Sequence, residues 1–479
     1  MTSATAYRRR TKIICTIGPA TGTAAQMAAL LKAGMNVARF NLSHGTLEVH
    51  AQYLDNLHKA CDRTGLPAAV LIDLPGPKYR IGRLKDGQVW LRKNQTVRLT
   101  EDDIEGDDTI IPVTLPSLAK NIRRNNTVLL DDGGLQLKVR EIRGEDIICR
   151  VVVGGALRQG RGLVVPGMKS SLPFMTDKLR EGILFAVKQR PDYLALSFVT
   201  SEQDIRDVKD ILKTNKVAIP IISKIERAEA VRHFSSILHA SDGVMIARGD
   251  LGVEMPLEQV PLIQKNLISR CNLAGKPVIT ATEMLESMIQ EARPTRAEVT
   301  DIANAIFDGT DAIMLSAETS IGKYPVPAVS MMARIATTVE KKLHYDEMLA
   351  ERREWLEPVT DELISFNACQ TAYSLKATAI VAFTQSGSTA MRISKYRPSV
   401  PIIALSPNKD ILGQLLLYWG VQPVKITEPD SVDELFALGA HQAREMGLSK
   451  PGDTIVISAG IPIGETGTTN MLKVERVSE

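Results

Sequence analysis

Ile219-Pro-Ile-Ile-Ser-Lys-Ile-Glu226 decides how the rest of this chain reads. After Pro220, the run of Ile221, Ile222 and Ile225 is too short for a helix and β-branched enough for a strand buried on both faces. Side chains alternate across a strand, so Lys224 and Glu226 point the same way at its C-terminal end. A charge facing a closed interior needs a partner, a metal or a substrate, because isolated burial is very costly. A purely structural Lys-Glu pair satisfies these eight residues equally well.

The neighbouring runs shift that balance. Gly243-Val-Met-Ile-Ala-Arg-Gly-Asp-Leu-Gly-Val-Glu254 reads as a second buried strand that breaks at Gly249 and is followed by Asp250. Gly249 has no side chain to hold off a ligand, and the turn leads into a helix whose free N–H groups attract an anion. Two carboxylates without thiols or clustered histidines suit a hard divalent cation such as Mg²⁺. A third run, Pro277-Val-Ile-Thr-Ala-Thr282, ends in a hydroxyl. Lys, two carboxylates, a small-residue turn and Thr, each ending a parallel strand, is how a (β/α)8 TIM barrel assembles a site.

Working outward, strands and helices alternate from residue 11, as βα units around a parallel sheet do. Strands are expected over residues 11–18, 36–43, 68–73 and 193–199, then in the three runs above, and lastly in Ala312-Ile-Met-Leu-Ser316. That is eight, the number a barrel requires. Arg39, Asn41 and Ser43, spaced by two, share one face of the second strand. Leu74-Pro-Gly-Pro77 ends the third. Residues 78–169 change character: short β-rich pieces separated by turns such as Asp86-Gly87 and Asp132-Gly-Gly134, without long amphipathic helices. They read as an inserted small β domain, a mobile cap over the barrel mouth. Residues 340–361 are charged and nonperiodic, and strands in Ala379-Ile-Val-Ala-Phe-Thr384, Pro401-Ile-Ile-Ala-Leu405, Val424-Lys-Ile426 and Thr454-Ile-Val-Ile-Ser458 follow. The expected division is barrel at 1–76 and 171–345, cap at 77–170, and a C-terminal open α/β domain at 346–479. In the last, Thr384, Ser386, Gly387, Ser388 and Thr389 form a hydroxyl-rich loop at a helix start, which suits phosphate or serves as an ordinary cap.

Composition bounds the function. Of 479 residues, 44% are hydrophobic and 24% charged, the balance of an ordinary globular protein. A net charge of +3 supports neither a nucleic-acid coat nor a polybasic membrane anchor, and no apolar run reaches membrane-spanning length. Cys15, Cys61, Cys149, Cys271 and Cys369 are scattered and never in a C-x-x-C pair, as expected of reduced thiols in a cytoplasm and of a chain without zinc. The basic N-terminus precedes strand-like sequence directly, which reads as a short tail without a leader.

Six segments resemble the pyruvate kinase family, in order and over nearly the whole length. They are Arg9-Arg-Thr-Lys-Ile-Ile-Cys-Thr-Ile-Gly-Pro19, Gly34-Met-Asn-Val-Ala-Arg-Phe-Asn-Leu-Ser-His-Gly45, Asp73-Leu-Pro-Gly-Pro-Lys-Tyr-Arg80, Ile221-Ile-Ser-Lys-Ile-Glu226, Ala247-Arg-Gly-Asp-Leu-Gly252 and Thr280-Ala-Thr-Glu-Met-Leu-Glu-Ser-Met288. The resemblance implies phosphoryl transfer from phosphoenolpyruvate to ADP, with Mg²⁺, or Mn²⁺ in its place, on Glu226 and Asp250. It implies Lys224 and Arg39 at the transferring phosphoryl and Gly249, Asp250 and Thr282 at the substrate carboxylate. Thr282 lies where the family protonates the enolate, but a Thr hydroxyl is a poor acid and is expected to work through water or a relay. Asn41, His44, Arg80 and Arg161 match nucleotide positions, and the loop at 384–389 matches one that holds a phosphorylated allosteric effector. The family is usually homotetrameric.

One departure is informative. Where many relatives hold K⁺ with positions matching Asn41, Ser43, Asp73 and the carbonyl of Leu74, beside a Glu, this chain has Leu74 for the usual Thr and Lys78 for that Glu. A tethered ammonium replacing the ion makes K⁺ unnecessary. Two rival readings are another Mg²⁺-enolate barrel, which would need neither the cap nor Arg39, and a catalytically silent sugar-phosphate sensor, which would not need Lys224, Glu226, Asp250 and Thr282.

Overall fold

Eight parallel strands close into a barrel in a computed structural model that describes residues 9–114, 117–168, 172–463 and 467–478. They are Lys12–Thr16, Val37–Asn41, Ala69–Leu74, Tyr193–Leu196, Ile221–Ile225, Gly243–Ala247, Val278–Ala281 and Ala312–Leu315. Each pairs with its neighbour in sequence, and the first closes on the last. All eight runs anticipated from sequence are strands of this barrel. Nearly every residue in them is buried, which is why they read as continuous apolar runs.

Local signals set the helices between them. Thr23 and Gln26 form a capping box before Ala24–Ala33, and Gly34, at φ 124°, ends that helix in a conformation costly for any residue with a Cβ. Ser201 and Asp204 box the start of Glu202–Thr214, and Thr176 caps Asp177–Gln189.

The fourth strand is shorter than expected. It stops at Leu196 because Phe198 turns to φ 59° and donates its N–H to Glu226 Oε2 at 2.6 Å. Residues beyond Leu196 thus serve the barrel mouth, not the sheet.

Between the third and fourth strands lie a seven-stranded sheet and a two-stranded ribbon, Gln88–Leu91 with Gly155–Arg158. They enclose a core of their own that includes Val97, Leu99, Leu137, Val139 and Cys149. Among the described residues this insertion holds one short α-helix, Leu118–Asn121.

The C-terminal sheet carries Val421–Lys425, Ile402–Ser406, Ala379–Phe383, Thr454–Ala459 and Met471–Arg476 in spatial order. Four strands are parallel, and the last is antiparallel. Sequence reasoning missed that last strand and began the third too late, at Val424. Val421–Lys425 lies at the sheet edge, where Pro423 is tolerated. The charged stretch 340–361 also contains a helix, Tyr345–Arg353, whose only buried residues are Leu349 and Arg352. Two anchors in nine residues give no readable period.

The barrel interior is packed by side chains such as Leu71, Tyr193, Ile222 and Met245 and is completed by Leu416 and Leu417 of the C-terminal domain. The N-terminal end of the barrel is thereby plugged. No helix among the described residues is long and apolar enough to cross a membrane.

Candidate active site

The parallel register brings the C-terminal strand ends to one mouth. Asn41 lies beside Asp73, Lys224 beside Met245, and Ala247 beside Ala281. The mouth opens as a cavity of about 440 Å³ lined by Arg39, Asn41, Ser43, Lys224, Glu226, Asp250 and Thr282, among others.

Lys224 is the centre of its charge network. Its Nζ lies 2.9 Å from Glu226 Oε1, 2.7 Å from Ser197 Oγ and 3.4 Å from Asp73 Oδ1. Burial alone would lower the Lys224 pKa, but Asp73 and Glu226 outweigh it and hold it above its ordinary range. Burial would likewise raise the Asp73 carboxyl; the charges of Lys224 and Arg39 reverse that and hold it low. Arg39 donates from Nε to Asp73 Oδ2 at 2.8 Å and from Nη1 to Thr16 Oγ1 at 2.8 Å, so its fork is fixed before any ligand arrives.

Glu226 is pushed the other way. Burial raises its carboxyl, Lys224 opposes this, and the facing Asp250 charge raises it further. Two carboxylates whose charges oppose each other, one fully buried, form a place where a cation is favoured. Among the described residues no group of three His, Cys, Asp or Glu side chains converges as a metal cage. The donor set therefore fits a hard divalent ion that keeps waters and takes its remaining ligands from substrate.

Thr282 stands at φ 69° and Glu283 at φ 55°. Left-handed backbone at a β-branched residue is strained, and such strain concentrates at functional sites. Thr282 Oγ1 accepts the Gly249 N–H at 2.7 Å and donates to the Ala281 carbonyl at 2.6 Å. The Gly249 N–H, anticipated as free for a substrate carboxylate, is thus engaged by Thr282.

Lys78 also departs from expectation. Its Nζ pairs with Asp250 Oδ1 at 2.7 Å and lies 3.7 Å from Asp132 Oδ1 of the insertion. The structure does not bring it to Asn41, Ser43 and Asp73, where Arg39 and Lys224 already neutralise the carboxylate. The reason is reach: Lys78 follows Pro77 on the insertion side of the mouth, facing the sixth strand. Asn41 Oδ1 instead accepts the Ser43 N–H at 3.1 Å, and Leu74 is buried in the third strand.

The outer wall is basic. His44, Arg80 and Lys178 line it, the Arg80 guanidinium donating to the Gly160 carbonyl at 2.9 Å. Burial, then the charges of Arg80, Arg39 and Lys178, lower the His44 pKa. Arg161 does not line this cavity; it pairs with Asp131 at 3.0 Å on the insertion. Sequence reasoning missed Ser197, Phe198 and Lys178. Ser197 was findable as a small polar residue ending a buried strand, whereas Lys178 lies in the first turn of the helix Asp177–Gln189 like any surface lysine, and Phe198 carried no signal.

The predicted phosphate loop lies far from this mouth in sequence and forms its own cleft. Thr384, Ser386, Ser388 and Thr389 line it, with Gly387 at φ 87° before the helix Ser388–Lys395.

Comparison with known proteins agrees with this geometry. Residues 8–329 match the family described as pyruvate kinase, barrel domain, and residues 362–475 match pyruvate kinase, alpha/beta domain. The chain is 43% identical over 475 residues to a pyruvate kinase of Geobacillus stearothermophilus, covering 98% of this chain and 81% of that protein. It is 44% identical to one of Staphylococcus haemolyticus with the same coverage. A crystal structure of a pyruvate kinase from Cryptosporidium parvum superposes with a TM-score of 0.93 at 36% identity, covering 100% of this chain and 98% of that one. The chain belongs to the pyruvate kinase family.

Proposed function

We propose that the barrel mouth transfers the phosphoryl group of phosphoenolpyruvate to ADP, giving ATP and pyruvate. The observation that carries this reading is Lys224, buried and charged, held by Asp73, Ser197 and Glu226 where the strands end. The P–O bond of phosphoenolpyruvate breaks, an ADP β-phosphate oxygen takes the phosphorus, and the enolate carbon takes a proton. Such a transfer needs positioning and charge compensation more than covalent help. Lys224 compensates charge on the transferring phosphoryl and on the enolate oxygen, and Arg39 clamps phosphoryl oxygens with its preset fork. The backbone N–H groups of Gly249 and Asp250, with the Thr282 hydroxyl, seat the substrate carboxylate, Thr282 moving aside from the Gly249 N–H. The Thr282 hydroxyl, donating to a carbonyl, delivers a proton only through water or a relay.

Glu226 and Asp250 would hold Mg²⁺, or Mn²⁺ in its place, once Lys78 leaves Asp250. When bound, the ion polarises substrate oxygens and offsets their charge. Asn41, His44 and Arg80 receive the nucleotide, with Arg161 reaching in as the cap, residues 77–170, closes on the barrel of 1–76 and 171–345. The α/β domain of 346–479 binds a phosphorylated effector through Thr384, Ser386, Gly387, Ser388 and Thr389. The wider reading is a cytoplasmic glycolytic homotetramer, supported by five unpaired cysteines and by exposed Val359, Leu363, Tyr373 and Leu375 on or beside the helix Thr360–Ser374.

K⁺ is not required in this reading: Arg39 and Lys224 already neutralise Asp73 beside Asn41, Ser43 and Leu74, and Lys78 adds an ammonium on the Asp250 side of the mouth. The test is pyruvate formation from phosphoenolpyruvate, ADP and Mg²⁺ in buffer free of K⁺ and NH₄⁺. Equal rates with and without added K⁺ are expected, and Lys78→Glu should create a K⁺ requirement. Activity only with K⁺ removes the role of Lys78 and leaves the reaction standing.

A further inference from the structure

The cleft at the head of the C-terminal sheet is uneven in charge. At one end Thr384 is 7% exposed, and its Oγ1 lies buried with no hydrogen-bond partner. The helix Ser388–Lys395 begins beside it, after the left-handed Gly387. A helix start presents free N–H groups, and an unpartnered buried hydroxyl beside it is a donor awaiting an acceptor. Together they describe a seat for one anion.

The wall beyond the edge strand Val421–Lys425, two strands away, is different. Glu428 lines it, accepting from Gln385 Nε2 at 2.8 Å, with Ile426, Leu435 and Ile463 alongside. None of the described lining residues is Lys or Arg, and residues 464–466 contain neither in sequence. A phosphate can be held by N–H groups and hydroxyls alone. A second phosphate at the Glu428 wall would meet a carboxylate with no cation to offset it. An ionised carboxylate only accepts hydrogen bonds, so its natural partners are ligand hydroxyls.

We propose that this cleft takes a phosphate monoester, its single phosphate at Thr384 and the helix start and its hydroxyl-bearing remainder on Glu428, and that it rejects bisphosphates. The inference rests on the effector reading above and adds the ligand class. Two sources share this chemistry, a sugar monophosphate and a nucleoside monophosphate, and the apolar wall of Ile426, Leu435 and Ile463 can pack against either.

The experiment is calorimetric titration of the full chain with inorganic phosphate, ribose 5-phosphate, glucose 6-phosphate, AMP and fructose 1,6-bisphosphate. At least one monoester should bind about tenfold or more tightly than the bisphosphate. Glu428→Lys, at an exposed position, should shrink or invert that ratio by about tenfold, and Thr384→Val should weaken every ligand severalfold. Sugar against nucleotide affinity tells which source is meant. A bisphosphate that binds as tightly as the best monoester, or a ratio unmoved by Glu428→Lys, overturns the inference and leaves the phosphate site standing. Silence from all five ligands overturns the effector reading and this inference together.

Discussion

The two ends of the barrel both bury charges, and they do so to opposite ends. At the C-terminal mouth, Lys224, Asp73, Glu226, Arg39, Lys78 and Asp250 pair around a cavity, and Glu226 and Asp250 repel each other there. At the N-terminal end the cavity beside Asp311 and Arg397 is about 10 Å³, too small for a substrate. Arg397 reaches under the barrel from the C-terminal domain, its Nη2 2.8 Å from Asp311 Oδ2, 2.6 Å from Asn272 Oδ1 and 2.9 Å from the Gly309 carbonyl. Trp419 donates its backbone N–H to Asp311 Oδ1 at 3.2 Å, Tyr193 its hydroxyl to the Gln414 carbonyl at 2.8 Å, and Lys12 from its Nζ to the Val421 carbonyl. Tightly paired, with the Arg397 Nε left without a partner, these groups hold two domains together. The same residue types thus read as chemistry where pairing leaves room for a ligand, and as architecture where it does not.

The comparison can be broken at either end. The largest effect is expected from Asp250→Asn at the mouth, which removes a charge we propose holds Mg²⁺. Turnover should fall on the order of 10³-fold with a raised Mg²⁺ requirement. Stability should change by no more than about 1 kcal/mol, because the side chain is partly open to water. Steady-state rates over a Mg²⁺ titration, beside urea unfolding, check both halves.

Arg397→Met should do the reverse. It leaves Asp311 charged and buried without its partner, a loss of roughly 3–5 kcal/mol by urea unfolding. Turnover per folded molecule at 25 °C should stay within about twofold, since Arg397 lies at the opposite end from the mouth. A large loss of turnover at unchanged stability would erase the distinction between the ends.

The smallest effect is a pH dependence at the same junction. Burial pushes the Asp192 carboxyl up to about 6 from its ordinary 3.8, although it accepts the Val70 N–H at 2.7 Å. The folded state therefore holds an extra proton between those values, and stability falls as pH rises through that window. Asp192→Asn should remove a fall of roughly 2–3 kcal/mol, seen as a gain over the parent at pH 7.5 that fades toward pH 4.5. An equal gain at both pH values would place the cause in packing against Gly413, where a Cβ would collide with this carboxylate.

Much of the mouth was legible before any coordinates, for a physical reason. Parallel barrel strands are buried on both faces, so Lys224, Glu226 and Asp250 stand out as charges ending apolar runs. The N-terminal end gave no such contrast. Arg397, Asp311 and Lys12 sit among ordinary polar neighbours, and their pairing joins residues up to 409 positions apart. Lys78 was singled out through the family resemblance, yet its partner Asp250 is 172 residues away and could not be read from spacing. Phe198 and Thr282 owe their roles to a positive φ that residue type does not announce. Met471–Arg476 escaped because an edge strand with one wet face alternates weakly and looks like a charged tail.

The central claim is that the mouth charge network performs phosphoryl transfer and does not merely stabilise the barrel. The direct measurement is pyruvate formation from phosphoenolpyruvate and ADP by the parent protein and by Lys224→Met, each with its unfolding midpoint recorded in parallel. The account predicts ADP-dependent pyruvate from the parent and a rate at least about 10³-fold lower from a variant that is still folded. A folded Lys224→Met that retains the parent rate, or a folded parent that makes no pyruvate, would contradict it.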